Sequence, residues 1–109
     1  MAQEAVEWKI TGYVNKVKLS DIDAVYIQVE IPSGFQFFSG SAIKTYKVNY
    51  GQTNQSSQAV RDSSGNKIIF NSTASSMNFF YYNGWEYVET QIAGLPNQII
   101  IFRNKRYFQ

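Results

Sequence analysis

Apolar and polar residues alternate along most of this chain, which is the pattern of β-strands with one buried face. Residues 6–19 (VEWKITGYVNKVKL) begin with an apolar face formed by Val6, Trp8, Ile10 and Val14. The alternation of apolar positions then shifts by one residue, so that the next apolar residues are Val17 and Leu19; Gly12 lies close to this shift. Such a shift predicts a β-bulge or a bend within a single strand.

Four further segments have strand-like patterns. Residues 24–31 (AVYIQVEI) predict a strand whose buried face is formed by Val25, Ile27, Val29 and Ile31. A later strand places Tyr46, Val48 and Tyr50 on one face. The continuous apolar run at residues 98–102 (QIIIF) predicts a central strand, and residues 106–109 (RYFQ) predict a short last one.

Two hairpins are predicted between these strands. Residues 59–70 turn at Ser63–Asn66, and residues 77–92 (MNFFYYNGWEYVETQI) turn at Asn83-Gly84, since Asn-Gly suits the positive φ angles of a type I′ turn. The second register places Phe80, Tyr82, Trp85 and Tyr87 on one all-aromatic face. One interpretation is that this face is core. The other is that Tyr81, Tyr82 and Trp85, close to the turn, protrude and form a contact surface.

These elements predict one all-β domain over residues 1–109. Seven or eight strands with short connections favour an antiparallel β-sandwich or a small barrel, with at most a turn or two of helix.

The amino-acid composition excludes several kinds of catalytic and metal-binding site. The chain has no His and no Cys, which excludes a Ser–His nucleophile, a thiol nucleophile and a thiolate metal site. Most of the acidic residues fall in turns or on outward faces, and we interpret Asp21 and Asp23 as turn residues. We therefore expect no enzyme and no cofactor. No signal peptide or membrane-spanning run is apparent.

Residues 8–31 resemble the first two strands of an OB-fold, with a glycine in the first strand and lysines before an alternating second strand. The resemblance implies a single-stranded nucleic-acid-binding module. Bases would stack on Tyr13 and Tyr26, and Lys16 and Lys18 would contact phosphates. The net charge of only +2 argues against this alternative.

Residues 62–89 (DSSGNKIIFNSTASSMNFFYYNGWEYVE) resemble the closing hairpins of small β-sandwich modules in phage tail fibres, head fibres and capsid decoration proteins. The resemblance implies a non-enzymatic virion structural protein, made in the host cytoplasm, that binds other virion proteins or copies of itself and no membrane. A third alternative is a β-sandwich that binds a host glycan or receptor.

The chain termini carry opposite charge. Residues 1–7 contain two acids, and the last seven residues contain three bases, so the termini suit pairing between neighbouring subunits. The predicted interface therefore comprises Tyr81, Tyr82, Trp85, Arg103, Lys105 and Arg106.

Overall fold

The computed structural model describes residues 8–31, 46–52, 58–70, 72–92 and 98–108. The strands are β1 (Tyr13–Val14), β2 (Val17–Lys18), β3 (Tyr26–Ile31), β4 (Lys47–Asn49), β5 (Gln58–Ala59), β6 (Trp85–Ile92) and β7 (Gln98–Asn104). Among these described residues, one α-helix, α1 (Thr73–Tyr82), precedes β6, and two short 3₁₀ turns cover Leu19–Asp21 and Lys105–Tyr107. Residues 1–7, which include Val6 and the two N-terminal acids, lie outside the described residues.

The strands form one five-stranded antiparallel sheet in the order β5-β4-β3-β7-β6 and a two-stranded sheet, β1-β2. The mostly β, antiparallel architecture is therefore confirmed. Within the described part of the chain the large sheet does not close into a barrel, because its two edge strands, β5 and β6, do not pair with each other.

The large sheet follows the predicted alternation. In β3, Ile27 and Val29 are buried and lie opposite Phe102 and Ile100 of β7. Strand β7 has neighbours on both sides, as its apolar run predicts. The prediction that Val25 is buried is wrong: the residue is 40% exposed and lies just before the strand.

The segment before Asn83 is a helix, so the predicted second hairpin and its register are wrong. Ser72 caps the helix: its hydroxyl accepts a hydrogen bond from the Ser75 N–H at 3.0 Å. The buried positions are Ser76, Phe79, Phe80 and Asn83, spaced i, i+3, i+4 and i+7 as on one helical face. The Asn83-Gly84 turn exists, but it joins the helix to β6.

The shift in alternation near Gly12 is a tight hairpin rather than a bulge. Asn15 and Lys16 join β1 to β2 with φ angles of 56° and 67°, the left-handed conformations of a type I′ turn. This turn leaves Val14 buried and Val17 exposed on opposite strands.

The predicted hairpin at Ser63–Asn66 is present, with Arg61 opposite Lys67. The Asp62 carboxylate accepts hydrogen bonds from the backbone N–H groups of Ser64 and Asn66 and so holds the turn. The predicted last strand at residues 106–109 is wrong, because Lys105–Tyr107 form a 3₁₀ turn.

Aromatic rings fill the core between the sheet and α1. Ring centroids lie 5.1 Å apart for Phe70 and Phe79, 5.2 Å for Phe79 and Phe80, and 4.6 Å for Phe80 and Phe102. The hairpin backbone packs directly on this cluster at Gly12, where a Cβ atom would stand 2.3 Å from Phe79. A glycine is therefore required by space at this position.

Candidate functional site

A patch of exposed rings and cations surrounds the C-terminal end of β7. We call it the C-terminal surface, and it comprises Tyr26, Tyr81, Arg103, Lys105, Arg106, Tyr107 and Phe108. The exposed fractions of its rings are 52% for Tyr26, 54% for Tyr81, 49% for Tyr107 and 42% for Phe108. Large apolar side chains that remain this exposed in one cluster are typical of interaction sites.

Asn104 sets the direction of the chain beneath this surface. Its side chain is buried, and its amide donates hydrogen bonds to the carbonyl oxygens of Ala24 at 3.1 Å and Ile22 at 3.4 Å. Its side-chain oxygen accepts a hydrogen bond from the Arg106 N–H at 3.2 Å. One buried amide thus ends β7 and begins the turn that carries the exposed cations.

The Lys105 ammonium lies over the Tyr81 ring, 3.6 Å from its centroid. A backbone hydrogen bond of 3.1 Å from the Lys105 N–H to the Gly84 carbonyl fixes this approach. The helix end and the C-terminal turn therefore meet, and they bring together two residues of the predicted interface. This cation–π contact keeps the Tyr81 ring in one orientation while half of it stays exposed.

The other two cations of the surface are paired with carboxylates. Arg103 Nε lies 2.9 Å from Glu86 Oε1, and the Arg103 guanidinium carbon lies 4.6 Å from the Phe108 ring centroid. Phe108 in turn contacts Tyr26, with ring centroids 5.9 Å apart. The charge of Arg103 is thus paired with the Glu86 carboxylate, and its guanidinium group also packs against the Phe108 ring.

Arg106 and Tyr107 share one acidic partner. Arg106 Nη2 lies 3.5 Å from Asp23 Oδ1, and the Tyr107 hydroxyl donates a hydrogen bond to the same oxygen. The hydrogen bond to this carboxylate raises the pKa of Tyr107 above its ordinary value of 10.0. Asp23 therefore acts as an anchor for the surface.

The structure separates the remaining predicted contact residues. The prediction that Trp85 protrudes is wrong: it is 1% exposed, and its indole N–H donates a hydrogen bond of 2.9 Å to the Leu19 carbonyl. Tyr82 is exposed, but it contacts the edge of Trp8 at a centroid distance of 6.2 Å.

A second candidate surface crosses the opposite hairpins. Tyr13 pairs with Lys18 on one side and with Arg61 on the other, and Arg61 pairs with Lys67. Residues directly opposite each other on antiparallel strands share a face. Lys18, Tyr13, Arg61 and Lys67 therefore form one row across four chain segments, which we call the basic row.

The basic row faces away from the core. The neighbouring residues Val14, Val60 and Ile68 are buried, so alternation directs Tyr13, Arg61 and Lys67 outward. Arg61 and Lys67 are exposed, and Tyr13 is partly buried. Beside the row lies an open depression of about 340 Å³, lined by Tyr13, Lys16, Arg61 and the turn residues 62–65.

The OB-like pairing of Tyr13 with Tyr26 is not observed. Tyr13 lies on the two-stranded sheet and Tyr26 lies on the five-stranded sheet, so the two rings do not line one groove. The sequence did not indicate that Arg61 and Lys67 join Tyr13, since the pairing links segments almost 50 positions apart. Their alternation with Val60 and Ile68 was the available signal that they face outward.

Neither a metal site nor a membrane-spanning helix is found in the described residues. No group of three or more acidic side chains there is arranged to hold a metal ion, and no helix has the length and apolar character needed to cross a bilayer.

No protein-family model, no curated protein and no solved structure matches this chain.

Proposed function

We propose that this chain is a non-enzymatic structural protein of a virion, associated with a phage capsid, head or tail, and that it binds neighbouring protein subunits through the C-terminal surface. The observation that supports a binding role is the clustering of four half-exposed rings around Arg103, Lys105 and Arg106. Tyrosine and arginine dominate the energetically important positions of protein interfaces.

The energetics of the surface suit a protein partner. A half-exposed aromatic ring retains about 100 Å² of accessible area, so burying it contributes about 2 kcal/mol before the costs of association. The contacts of Lys105 with Tyr81 and of Arg103 with Phe108 hold the rings in place, so less conformational entropy is lost on binding.

The charge of the surface also favours a protein over a polyanion. Arg103 is paired with Glu86 and Arg106 with Asp23, which leaves Lys105 without a carboxylate partner among the described residues. A surface that binds nucleic acid through phosphates needs cations whose charge is not already neutralised.

The assignment to a virion rests on sequence features. The low charge, the many amides and hydroxyls and the resemblance of residues 62–89 to virion β-modules support it. Repetition of one modest contact over a particle provides avidity, so a small surface is sufficient.

The test is whether the protein sediments together with phage particles purified from a culture that produces both. Wild-type protein is expected to sediment with the particles, and a Tyr81→Ser, Phe108→Ser double variant to remain in the supernatant. The matched control is Ile69→Ser, which removes an apolar side chain that is 56% exposed and lies outside the C-terminal surface. Absence of the wild-type chain from the particles contradicts the virion assignment. Equal sedimentation of both variants contradicts the assigned surface.

A further inference from the structure

The basic row concentrates positive charge that the fold leaves unbalanced. Lys18, Arg61 and Lys67 lie in the row, and Lys16 stands at the adjoining turn. Among the described residues none of these four cations has a carboxylate within 4 Å. Asp62 lines the same depression and keeps its negative charge, so the four cations and Asp62 leave an excess of positive charge here. Arg61 Nη1 donates a hydrogen bond of 2.9 Å to the Gly65 carbonyl, which leaves its charge without a carboxylate partner in the described part of the chain.

Two of these cations are directly opposed. The Asp62 N–H donates to the Asn66 carbonyl at 2.8 Å, and the Ile68 N–H donates to the Val60 carbonyl at 3.0 Å. Arg61 and Lys67 therefore form the closely spaced, non-hydrogen-bonded type of antiparallel pair. Like charges at such positions destabilise a hairpin, and a bound anion would relieve the repulsion.

The backbone of the turn at Lys16 is also strained. Its φ of 67° is one that a lysine rarely adopts and that costs about 1–2 kcal/mol. The type I′ turn between β1 and β2 requires this conformation. The turn also places Lys16 among the residues that line the depression beside Tyr13.

We propose that the basic row binds a single strand of nucleic acid, with a base stacked on Tyr13 and phosphates on the flanking cations. An aromatic ring between cations is the arrangement that single-strand binders use, because every base offers a flat face and every linkage offers a charge. Antiparallel spacings give the row a length of about 14 Å from Lys18 to Lys67, enough for a short run of nucleotides.

An acidic protein segment would use the cations but not the ring. The depression beside Tyr13 provides a concave space of about 340 Å³ that also exposes the Ser63 and Ser64 turn. Tyr13 paired on both sides by cations is thus the feature that favours nucleic acid over an acidic peptide. This surface is separate from the C-terminal surface, and binding here is independent of the proposed structural role.

The test is the fluorescence anisotropy of a labelled oligo-dT strand titrated with the protein. With four cations and a slope of about −0.7 per phosphate, raising the salt from about 50 to about 200 mM is expected to weaken binding about 50-fold. A Lys18→Gln, Arg61→Gln, Lys67→Gln variant retains Lys16 alone, and its affinity is expected to change only about threefold over the same range.

The matched control lowers the net charge by the same three units outside both surfaces through Lys9→Glu and Lys47→Gln. It gives the same net charge and is expected to keep most of the affinity. Tyr13→Ser tests stacking and is expected to lose about tenfold or more in affinity.

Three results overturn the proposal. These are no saturable binding by the wild-type protein, equal losses of affinity in the triple variant of the row and in the charge-matched control, and equally effective competition by a poly-glutamate peptide of the same charge. The last result would assign the row to an acidic protein segment instead.

Discussion

Replacing Asn83 by alanine is expected to destabilise the fold strongly, because this side chain joins the helix to the N-terminal hairpin. Its oxygen accepts a hydrogen bond of 2.9 Å from the Gly12 N–H. Its amide donates to the carbonyl oxygens of Ile10 at 3.0 Å and Phe79 at 2.8 Å. Asn83 itself is 5% exposed, so water does not readily replace these bonds.

The expected loss in the free energy of unfolding depends on which buried groups lose their hydrogen-bond partners. The Phe79 carbonyl still accepts a bond from the Asn83 backbone N–H at 3.0 Å, so it is not left unpaired. The buried Gly12 N–H loses the acceptor that Asn83 provides, at a cost of about 1–3 kcal/mol. The two lost donor bonds add about 1 kcal/mol together, which gives an expected total of about 3 kcal/mol.

Urea denaturation followed by Trp fluorescence measures this change in the free energy of unfolding. Asn83→Asp is expected to be destabilised as well, because a carboxylate would face the Ile10 and Phe79 carbonyl oxygens. The control is Asn66→Ala at an exposed turn, expected to stay within about 0.5 kcal/mol of wild type. If Asn83→Ala were also within about 0.5 kcal/mol, the residue would be an ordinary turn residue and the reasoning would be refuted.

Three further changes test other parts of the account. Gly12→Ala forces a methyl group against Phe79 and Leu19 and is expected to cost at least about 1–3 kcal/mol by urea denaturation; unchanged stability would contradict the packing. Lys16→Gly relieves a left-handed lysine and is expected to raise stability by about 1 kcal/mol while weakening oligo-dT binding; a gain or loss in both would contradict the assigned roles. Burial raises the pKa of Tyr46 above 10.0, because its hydroxyl is buried without a hydrogen-bond partner among the described residues and the ionised form would be poorly solvated. The neutral ring therefore stabilises the fold up to that pH, and the contribution is lost as pH rises through the folded-state pKa. Tyr46→Phe is expected to lose less stability than wild type in urea titrations above pH 10, and an identical loss would contradict this.

The sequence predicted the large sheet because burial there follows a simple period of two. Ile27 and Val29 alternate with exposed residues, and the run that includes Ile100 and Phe102 is flanked by strands on both sides. In these segments the local pattern and the tertiary environment agree, so alternation alone was sufficient.

The helix was missed because β-prone aromatics and an Asn-Gly turn outweighed a short helical period. Ser72 as N-cap and the spacing of Ser76, Phe79, Phe80 and Asn83 were the available helical signals. Stability comes from tertiary packing of Phe79 and Phe80 on the core, since a ten-residue helix is marginal alone.

The sequence predicts residues of the candidate sites only where these residues lie close together along the chain. Lys105 and Arg106 follow β7 directly, and Tyr81 was singled out for its exposure near the turn. The closeness of Trp85 to the turn suggests exposure, whereas the residue belongs to the core, as the alternative interpretation of the aromatic face predicts. The basic row depends on the pairing of Tyr13 with Arg61, which no local pattern specifies.

The central claim is that the C-terminal surface is covered by protein in the assembled particle. The most direct measurement is covalent labelling of tyrosines, read by mass spectrometry, on the free protein and on purified particles. Labelling of Tyr26, Tyr81 and Tyr107 is expected to fall several-fold in the particle. Tyr87, which is 43% exposed and lies outside the C-terminal surface, is expected to stay unchanged. Unchanged labelling of the first three tyrosines, or protection of Tyr87 alone, would contradict the account.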